Sequence, residues 1–117
     1  MSKIQQHVVS EWLVPWGLVE SSDASQLVRE LHRELAPGHP LFGRSDGARA
    51  LAVRQDCDDV LFEFQDPRQF AVVHLTYIKT PPDRPPWPET EMFEDMAGFV
   101  ERRMKADHDD FTTEFSW

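Results

Sequence analysis

Four groups of side chains in this sequence are of types that carry chemistry: an acidic run at residues 56–59, two pairs that share His74, an acidic run at residues 107–110, and the proline cluster at residues 81–88. The first, Asp56-Cys57-Asp58-Asp59, places three carboxylates and a thiol within four residues. Carboxylate oxygens are ligands for hard divalent cations such as Ca²⁺ and Mg²⁺. The spacing differs from that of an EF-hand loop, which alternates its ligands around a central glycine. We therefore expect a solvated acidic turn, with metal binding as the alternative.

Cys57 and His74 are the candidates for a nucleophile and its base. Cysteine attacks as the thiolate, which needs a base within about 3 Å. The strand register that follows from a turn at residues 66–69 sets His74 opposite Leu61, and strand rise then separates His74 from Cys57 by roughly 13 Å. The neighbouring aspartates also raise the thiol pKa because they disfavour a thiolate. These arguments predict a passive thiol.

His74 and Glu63 form a second candidate pair. In the predicted sheet they are diagonal neighbours on one face, close enough for a hydrogen bond between imidazole and carboxylate. Such a pair is a general base when it lines a cleft. On a half-covered face it is a structural pair. We expect the structural pair.

The remaining two groups lie in the second half of the chain. Asp107-His108-Asp109-Asp110 offers an imidazole and three carboxylates, a set that suits Zn²⁺ or Mn²⁺, but its spacing matches no metal signature. The proline cluster at residues 81–88 contains two minimal PxxP patterns, and Trp87 within it could anchor a partner where it is exposed. From all four groups we expect no catalytic residue, no metal ligand and no cofactor.

Composition narrows the classes of partner. The chain has 117 residues, which predicts a single domain spanning residues 1–117, and a formal net charge of -9. Residues 56–66 hold five acids and no base, and residues 83–110 hold nine acids and four bases. This charge disfavours nucleic acid and anionic membranes and favours a basic protein partner. With no long apolar run and a polar N-terminus, we expect a cytoplasmic protein without a membrane anchor.

The elements that must position these groups follow from periodicity. Apolar residues at helical spacing predict one helix that is capped by Ser22 or Asp23 and stopped by Pro37-Gly38, with Arg29, Glu30, Arg33 and Glu34 opposite its apolar stripe. A second helix is predicted after a cap at Thr90, and its stripe comprises Met92, Phe93, Met96, Phe99, Val100 and Met104. Residues 12–18 are expected to form an edge strand or an irregular arm, and residues 111–117 a short strand or a clasp.

Between the helices the period changes to two, which predicts strands at residues 48–54, 60–65 and 70–77. The turn sets Phe64 opposite Ala71 and Val60 opposite Leu75, so that one face is entirely apolar. The predicted fold is therefore α+β, with a three-stranded antiparallel sheet and two amphipathic helices packed on one face. The mixed reverse face is expected to be covered in part by the tryptophan arm or by a second copy of the chain.

Three segments carry a resemblance to known proteins. Residues 12–18 (WLVPWGL), 38–43 (GHPLFG) and 55–62 (QDCDDVLF) resemble segments of a small family of uncharacterised bacterial cytoplasmic proteins with no assigned function. The resemblance implies a bacterial origin and a compact α+β domain. It brings no catalytic residues to this chain.

These observations together predict a non-enzymatic, small, acidic bacterial protein that binds another protein, as an adaptor or in the manner of an immunity protein or antitoxin. The candidate partner-binding residues are Trp87, Glu63, His74, Asp56, Asp58 and Asp59. The alternative is a small metal-dependent or His/Glu-based hydrolase with its site on the mixed face. Monomer and homodimer both fit the sequence.

Overall fold

The computed structural model describes residues 11–114. In chain order the elements are β1 (Trp16–Leu18), α1 (Ser21–Glu34), a 3-10 turn (Ser45–Gly47), β2 (Arg49–Arg54), β3 (Asp59–Phe64), β4 (Gln69–His74), β5 (Thr90–Phe93), α2 (Met96–Phe99), a π-helical segment (Val100–Met104) and α3 (Lys105–Glu114). The last three follow one another directly, and we call them together the C-terminal helix. The α+β class is as predicted.

The sheet has five antiparallel strands, and their order in space is their order in sequence. The predicted number of three is wrong, although β2, β3 and β4 correspond to the three predicted strands. β1 is the edge strand expected as one alternative for residues 12–18. β5 falls where we expected the start of a helix.

The residues of β5 fit both a helix and a strand, and pairing with β4 favours the strand. The spacing of Met92, Phe93 and Met96 fits a helical stripe, but β4 offers hydrogen-bond partners to residues 90–93, with Phe70 opposite Phe93. The alternation of side chains along a strand also suits these residues, because Phe93 is buried on one side of the sheet while Met92 packs on the other. The helix starts only at Met96, so Thr90 is not its cap.

The cap of the C-terminal helix is Asp95, whose side chain accepts a hydrogen bond of 2.8 Å from the Gly98 amide. We expect Asp95→Ala to lower the free energy of unfolding by about 1 kcal/mol, because this amide loses its acceptor. Urea denaturation measures the loss. The matched control is Asp110→Ala, an exposed aspartate inside α3, where the change should cost less. Equal losses in the two variants would contradict the capping role.

The register of β3 and β4 differs from the prediction by two residues. Phe64 pairs with Gln69 and Asp59 with His74, because the turn takes residues 65–68 and Asp66 adopts a φ of 56°. A shift by two leaves each side chain on its predicted face, since strand side chains alternate with a period of two. The pairs Phe64 with Ala71 and Val60 with Leu75 are thus wrong, but the apolar face is correct.

The two helices pack on opposite faces of the sheet. α1 covers the face that carries Phe62 and Phe64, and the C-terminal helix covers the face that carries Leu61 and Phe70. The prediction of both helices on one face is wrong, because the reverse face is itself apolar enough to need a helix. The tryptophan arm shares this role, and the buried Trp16 ring meets Phe99 edge to face at 5.0 Å.

Helix ends also differ from expectation. α1 begins at Ser21 with Glu20 at the cap position, so neither Ser22 nor Asp23 caps it. Residues 107–114 belong to α3, so the expected strand or clasp does not form over residues 111–114, while residues 115–117 lie outside the described part. In residues 11–114, none of the helices combines the length and apolar character needed to cross a bilayer.

Candidate functional site

Titratable side chains collect at the end of the sheet that carries the β2–β3 turn, which we call the acidic end. Asp59 opens β3 and His74 closes β4, and the observed register places them side by side with Asp59 Oδ1 2.7 Å from His74 Nδ1. The Cys57 sulfur, an Asp59 oxygen and a His74 ring nitrogen all lie within 4.8 Å of one another. The predicted separation of Cys57 from His74 is wrong, because it used the register that is shifted by two residues.

Arg103 enters the acidic end from the C-terminal helix. Its Nη2 donates to Asp59 Oδ2 at 2.8 Å, its Nη1 to Glu91 Oε1 at 3.2 Å, and its Nε to Asp107 Oδ2 at 3.1 Å. Only 18% of the Arg103 side chain is exposed. One guanidinium therefore ties β3, β5 and the C-terminal helix together in a partly dehydrated setting, where charged hydrogen bonds are strong.

Asp107 extends this network toward the edge of the sheet. Its Oδ2 also accepts a hydrogen bond of 2.9 Å from Trp16 Nε1 and lies 3.4 Å from Arg54 Nη1. Arg54 in turn holds Asp56 through two bonds of 2.9 and 2.7 Å. Carboxylates and guanidinium groups thus alternate from the β2–β3 turn to the end of β4.

Burial and ion pairing shift the pKa of several groups at the acidic end, among them Asp59 and Cys57. Burial raises the pKa of Asp59, but the hydrogen bonds from His74 and Arg103 outweigh burial and hold that pKa below its usual range. Burial raises the pKa of the Cys57 thiol, and the negative charge of Asp59 adds to the rise. At neutral pH Asp59 is therefore a carboxylate and Cys57 a thiol.

The acidic end brings together four of the six predicted partner-binding residues: Asp56, Asp58, Asp59 and His74. The other two lie elsewhere. Glu63 is buried near the opposite end of β3, where Arg49 and Arg68 approach it at 3.3 and 2.7 Å. The predicted pair of His74 with Glu63 is wrong, since His74 bonds Asp59. Trp87 lies in the proline loop, with 49% of its surface exposed.

Residues 107–110, for which a metal site was the alternative to the expected absence of metal ligands, contact other groups. Asp107 is engaged by Trp16 and Arg103, and His108 Nδ1 is 2.7 Å from the Val14 carbonyl oxygen. Within residues 11–114, the one group of three or more potential ligands whose atoms converge is Cys57, Asp59 and His74. Beside it lies a cavity of about 300 Å³ that is lined in part by Glu89, Thr90 and Glu91.

A second polar cluster lies at the C-terminal end of α1 around Glu34, which is completely buried. Glu34 Oε1 accepts a hydrogen bond of 2.9 Å from the Thr76 amide, and Oε2 accepts one of 2.8 Å from the Tyr77 amide. Burial, with the hydrogen bond to Glu30, raises the pKa of Glu34 to about 7. We expected Glu34 on the solvated side of α1, and this is wrong.

We did not single out Glu34 as buried or Arg103 as largely buried, although their spacing along the helices indicates it. Glu34 comes three residues after Leu31 and seven after Leu27, which is the spacing of the buried stripe. Arg103 likewise comes seven residues after Met96 and four before Asp107. A charged residue at a stripe position marks a buried polar contact, because an unpaired charge there is costly.

Comparisons with protein-family models, with curated proteins and with solved structures find no match for this chain. The resemblance to a bacterial family stays an expectation that rests on the three quoted segments. Function has to be argued from the geometry.

Proposed function

We propose that the protein binds a basic, extended segment of another protein along the outer edge of β5. β5 is the last strand of the sheet, and within residues 11–114 no strand pairs with its outer side. Exposed edges of this kind accept an added strand through main-chain hydrogen bonds. The excess of acidic over basic residues at this edge is the observation that carries the proposal: four carboxylates, Glu89, Glu91, Glu94 and Asp95, lie along it, and the cations beside them are Arg102 and Arg103.

The hydrogen bonds of β4 identify which groups of β5 face outward. The His74 amide donates to the Glu89 carbonyl at 2.9 Å. Because bonded and non-bonded pairs alternate in an antiparallel ladder, Glu91 bonds β4, whereas Thr90 and Met92 direct their amides and carbonyls outward. Arg102 Nη2 lies 3.5 Å from the Met92 carbonyl oxygen, which agrees with this assignment.

Space and charge around the edge favour a basic segment. The cavity of about 300 Å³ that borders Thr90 and Glu91 is accompanied by one of about 490 Å³ that borders Met92 and Asp95. Both cavities open on the side of the sheet that carries the C-terminal helix, because Arg103 lines the first and Arg102 the second, and every second side chain of an added strand is directed to that side. A second copy of the chain is a poor occupant because each copy carries a net charge of -9.

Trp87 adds an apolar contact to this surface. It lies three residues before β5 with half of its surface exposed, and indoles are frequent anchors at protein interfaces. Asp56 and Asp58 are exposed on the β2–β3 turn, at the same end of the sheet as the start of β5, and extend the negative surface there. The predicted partner-binding residues other than the buried Glu63 therefore fit this proposal.

The test uses a labelled synthetic peptide that alternates lysine with valine, and fluorescence anisotropy as the readout. We expect binding that weakens as salt is added, and no comparable binding of a peptide with glutamate at the lysine positions. Met92→Pro removes the outward amide and leaves the bonds to β4, and it should weaken the lysine peptide about tenfold.

The matched control is Leu18→Pro on the opposite edge of the sheet. The Val19 amide donates to the Leu51 carbonyl at 3.0 Å, so alternation directs the Leu18 amide outward from β1. This variant should bind the peptide as the unchanged protein does. Equal binding by Met92→Pro, or equal binding of the glutamate peptide, would place the partner elsewhere. In an extract of the source organism, the expected partner is captured by Leu18→Pro and lost with Met92→Pro.

The alternative of a small hydrolase draws less support. Its general base was to be His74 with Glu63, and these residues contact different partners, Asp59 for the first and Arg49 with Arg68 for the second. A partner-binding role needs neither group to react.

A further inference from the structure

Cys57, Asp59 and His74 differ from the other acidic groups of the chain in the kinds of donor atom that they bring together. We propose that these three residues bind one Zn²⁺ ion. A thiolate sulfur, an imidazole nitrogen and a carboxylate oxygen form a donor set that suits Zn²⁺, whereas Ca²⁺ and Mg²⁺ prefer oxygen alone. This site borders the same cavity of about 300 Å³ as the β5 edge, but the proposal does not depend on the function proposed for that edge.

The distances suit a tetrahedral ion. Bonds of about 2.0–2.3 Å place two ligand atoms of tetrahedral zinc about 3.3–3.7 Å apart. Here the Asp59 oxygen and the His74 nitrogen are 2.7 Å apart, and no two of the three donor atoms are separated by more than 4.8 Å. An ion would replace the hydrogen bond between Asp59 and His74, and these two atoms would move apart by about 0.6 Å. Cys57 and His74 are exposed, so small rotations of their side chains bring the atoms to the required distances.

The local fold supplies the register that the site needs. Asp59 is the first residue of β3, and His74 at the end of β4 is its direct cross-strand partner. Cys57 lies two residues before Asp59, in the β2–β3 turn. Two of the three ligands therefore lie on paired strand ends, which hold ligands more firmly than a loop does.

Arg103 orients the carboxylate for this role. It occupies Asp59 Oδ2 at 2.8 Å, which leaves Oδ1 directed toward His74. Outer hydrogen bonds of this kind are typical of carboxylates that ligate metals. The positive charge of Arg103 is balanced by its own bonds to Glu91 and Asp107, so the ion faces a region that stays negative overall.

Three protein ligands leave the fourth position of a tetrahedral ion open to water. The cavity of about 300 Å³ lies beside Asp59 and His74 and gives solvent access to this position. Deprotonation of the Cys57 thiol accompanies binding, because zinc binds the thiolate. The proton leaves to solvent, and no oxidant or reductant takes part.

The test is titration of the full chain with Co²⁺, which replaces Zn²⁺ and is visible by its absorption. We expect one equivalent to bind, a thiolate-to-cobalt charge-transfer band to appear, and one equivalent of Zn²⁺ to remove that band. Cys57→Ser should abolish the band. His74→Gln should weaken cobalt binding at least about tenfold, because a ligand is lost.

The matched control is His32→Gln, a change at an exposed histidine of α1 that should leave the band and the affinity unchanged. Thermal unfolding of each variant without metal verifies that it is folded. Absence of cobalt binding, cobalt binding without the charge-transfer band, or an affinity that His74→Gln leaves unchanged overturns the site. Met92→Pro should keep the band, so failure of the zinc site and failure of the β5 edge are distinguishable.

Discussion

Replacing Arg103 with methionine is expected to lower the free energy of unfolding by about 3 kcal/mol, because it removes one partner from a largely buried network of ion pairs. Arg103 contacts Asp59, Glu91 and Asp107 at 2.8, 3.2 and 3.1 Å. Methionine keeps the apolar stem, so the loss reports the guanidinium itself. Urea denaturation followed by tryptophan fluorescence measures the change.

Two further variants distinguish the stability that the Arg103 network provides from that of an exposed ion pair. Lys105→Met breaks an exposed pair with Glu101 on the same helix, and it should cost less than about 0.5 kcal/mol. Adding Asp59→Asn to Arg103→Met should recover part of the stability, because it removes a carboxylate that has lost its partner. A loss in Arg103→Met no larger than that in Lys105→Met would show that solvent screens the network.

Much of the central sheet follows from local pattern. β2, β3 and β4 were predictable because apolar residues alternate along them, and the faces were correct because alternation assigns every second residue to one side. β5 was not predictable in this way. Met92, Phe93 and Met96 satisfy both periods, and the choice depends on β4, which is about twenty residues away in sequence.

The residues that meet at the candidate site depend on the register of β3 and β4, which the hydrophobic pattern does not determine. Moving β4 by one residue against β3 would expose apolar side chains, but moving it by two preserves every face. The pattern therefore fits a pair of His74 with Leu61 as well as the observed pair with Asp59. The chemistry differs completely between the two registers, since Asp59, Cys57 and His74 converge only in the second.

Charged residues at buried positions were the other source of error. Arg103 and Glu34 lie at stripe positions of amphipathic helices, where sequence reasoning assigned them to the solvated side or to the helix dipole. Each is stabilised by partners from distant segments, such as Asp59 for Arg103 and Tyr77 for Glu34. Helical periodicity predicts that such positions are buried but not which partners they meet.

Glu34 should give the protein a stability that falls as pH rises. The pKa of Glu34 is about 7 in the folded protein against an ordinary value of 4.5, so between these pH values the folded chain keeps a proton that the unfolded chain has released. Stability from this group is full below about pH 4.5 and is lost as pH rises through about 7. The shift corresponds to at most about 3 kcal/mol.

The groups around Glu34 explain this direction. Glu30 accepts the hydrogen bond of Glu34 and forms two bonds of 2.9 and 3.0 Å with Arg33. Burial raises the pKa of Glu30, but the bonds from Arg33 and Glu34 outweigh burial and lower that pKa. Asp83 lies 2.7 Å from Thr76 Oγ1, which also contacts Glu34. Burial is the main cause of the raised pKa of Glu34, and the hydrogen bond to Glu30 adds to it.

Glu34→Gln isolates the effect, because a neutral amide of the same shape cannot ionise. We expect this variant to lose about 1 kcal/mol, since the carboxyl accepts from both the Thr76 and Tyr77 amides and a glutamine amide has one oxygen acceptor. Its urea midpoint should no longer share the decline of the unchanged protein between pH 5 and 8. Glu101→Gln, at an exposed residue of the C-terminal helix, should retain that decline. Parallel curves for the unchanged protein and Glu34→Gln would mean that another group carries the proton, because only the difference between these two curves belongs to Glu34.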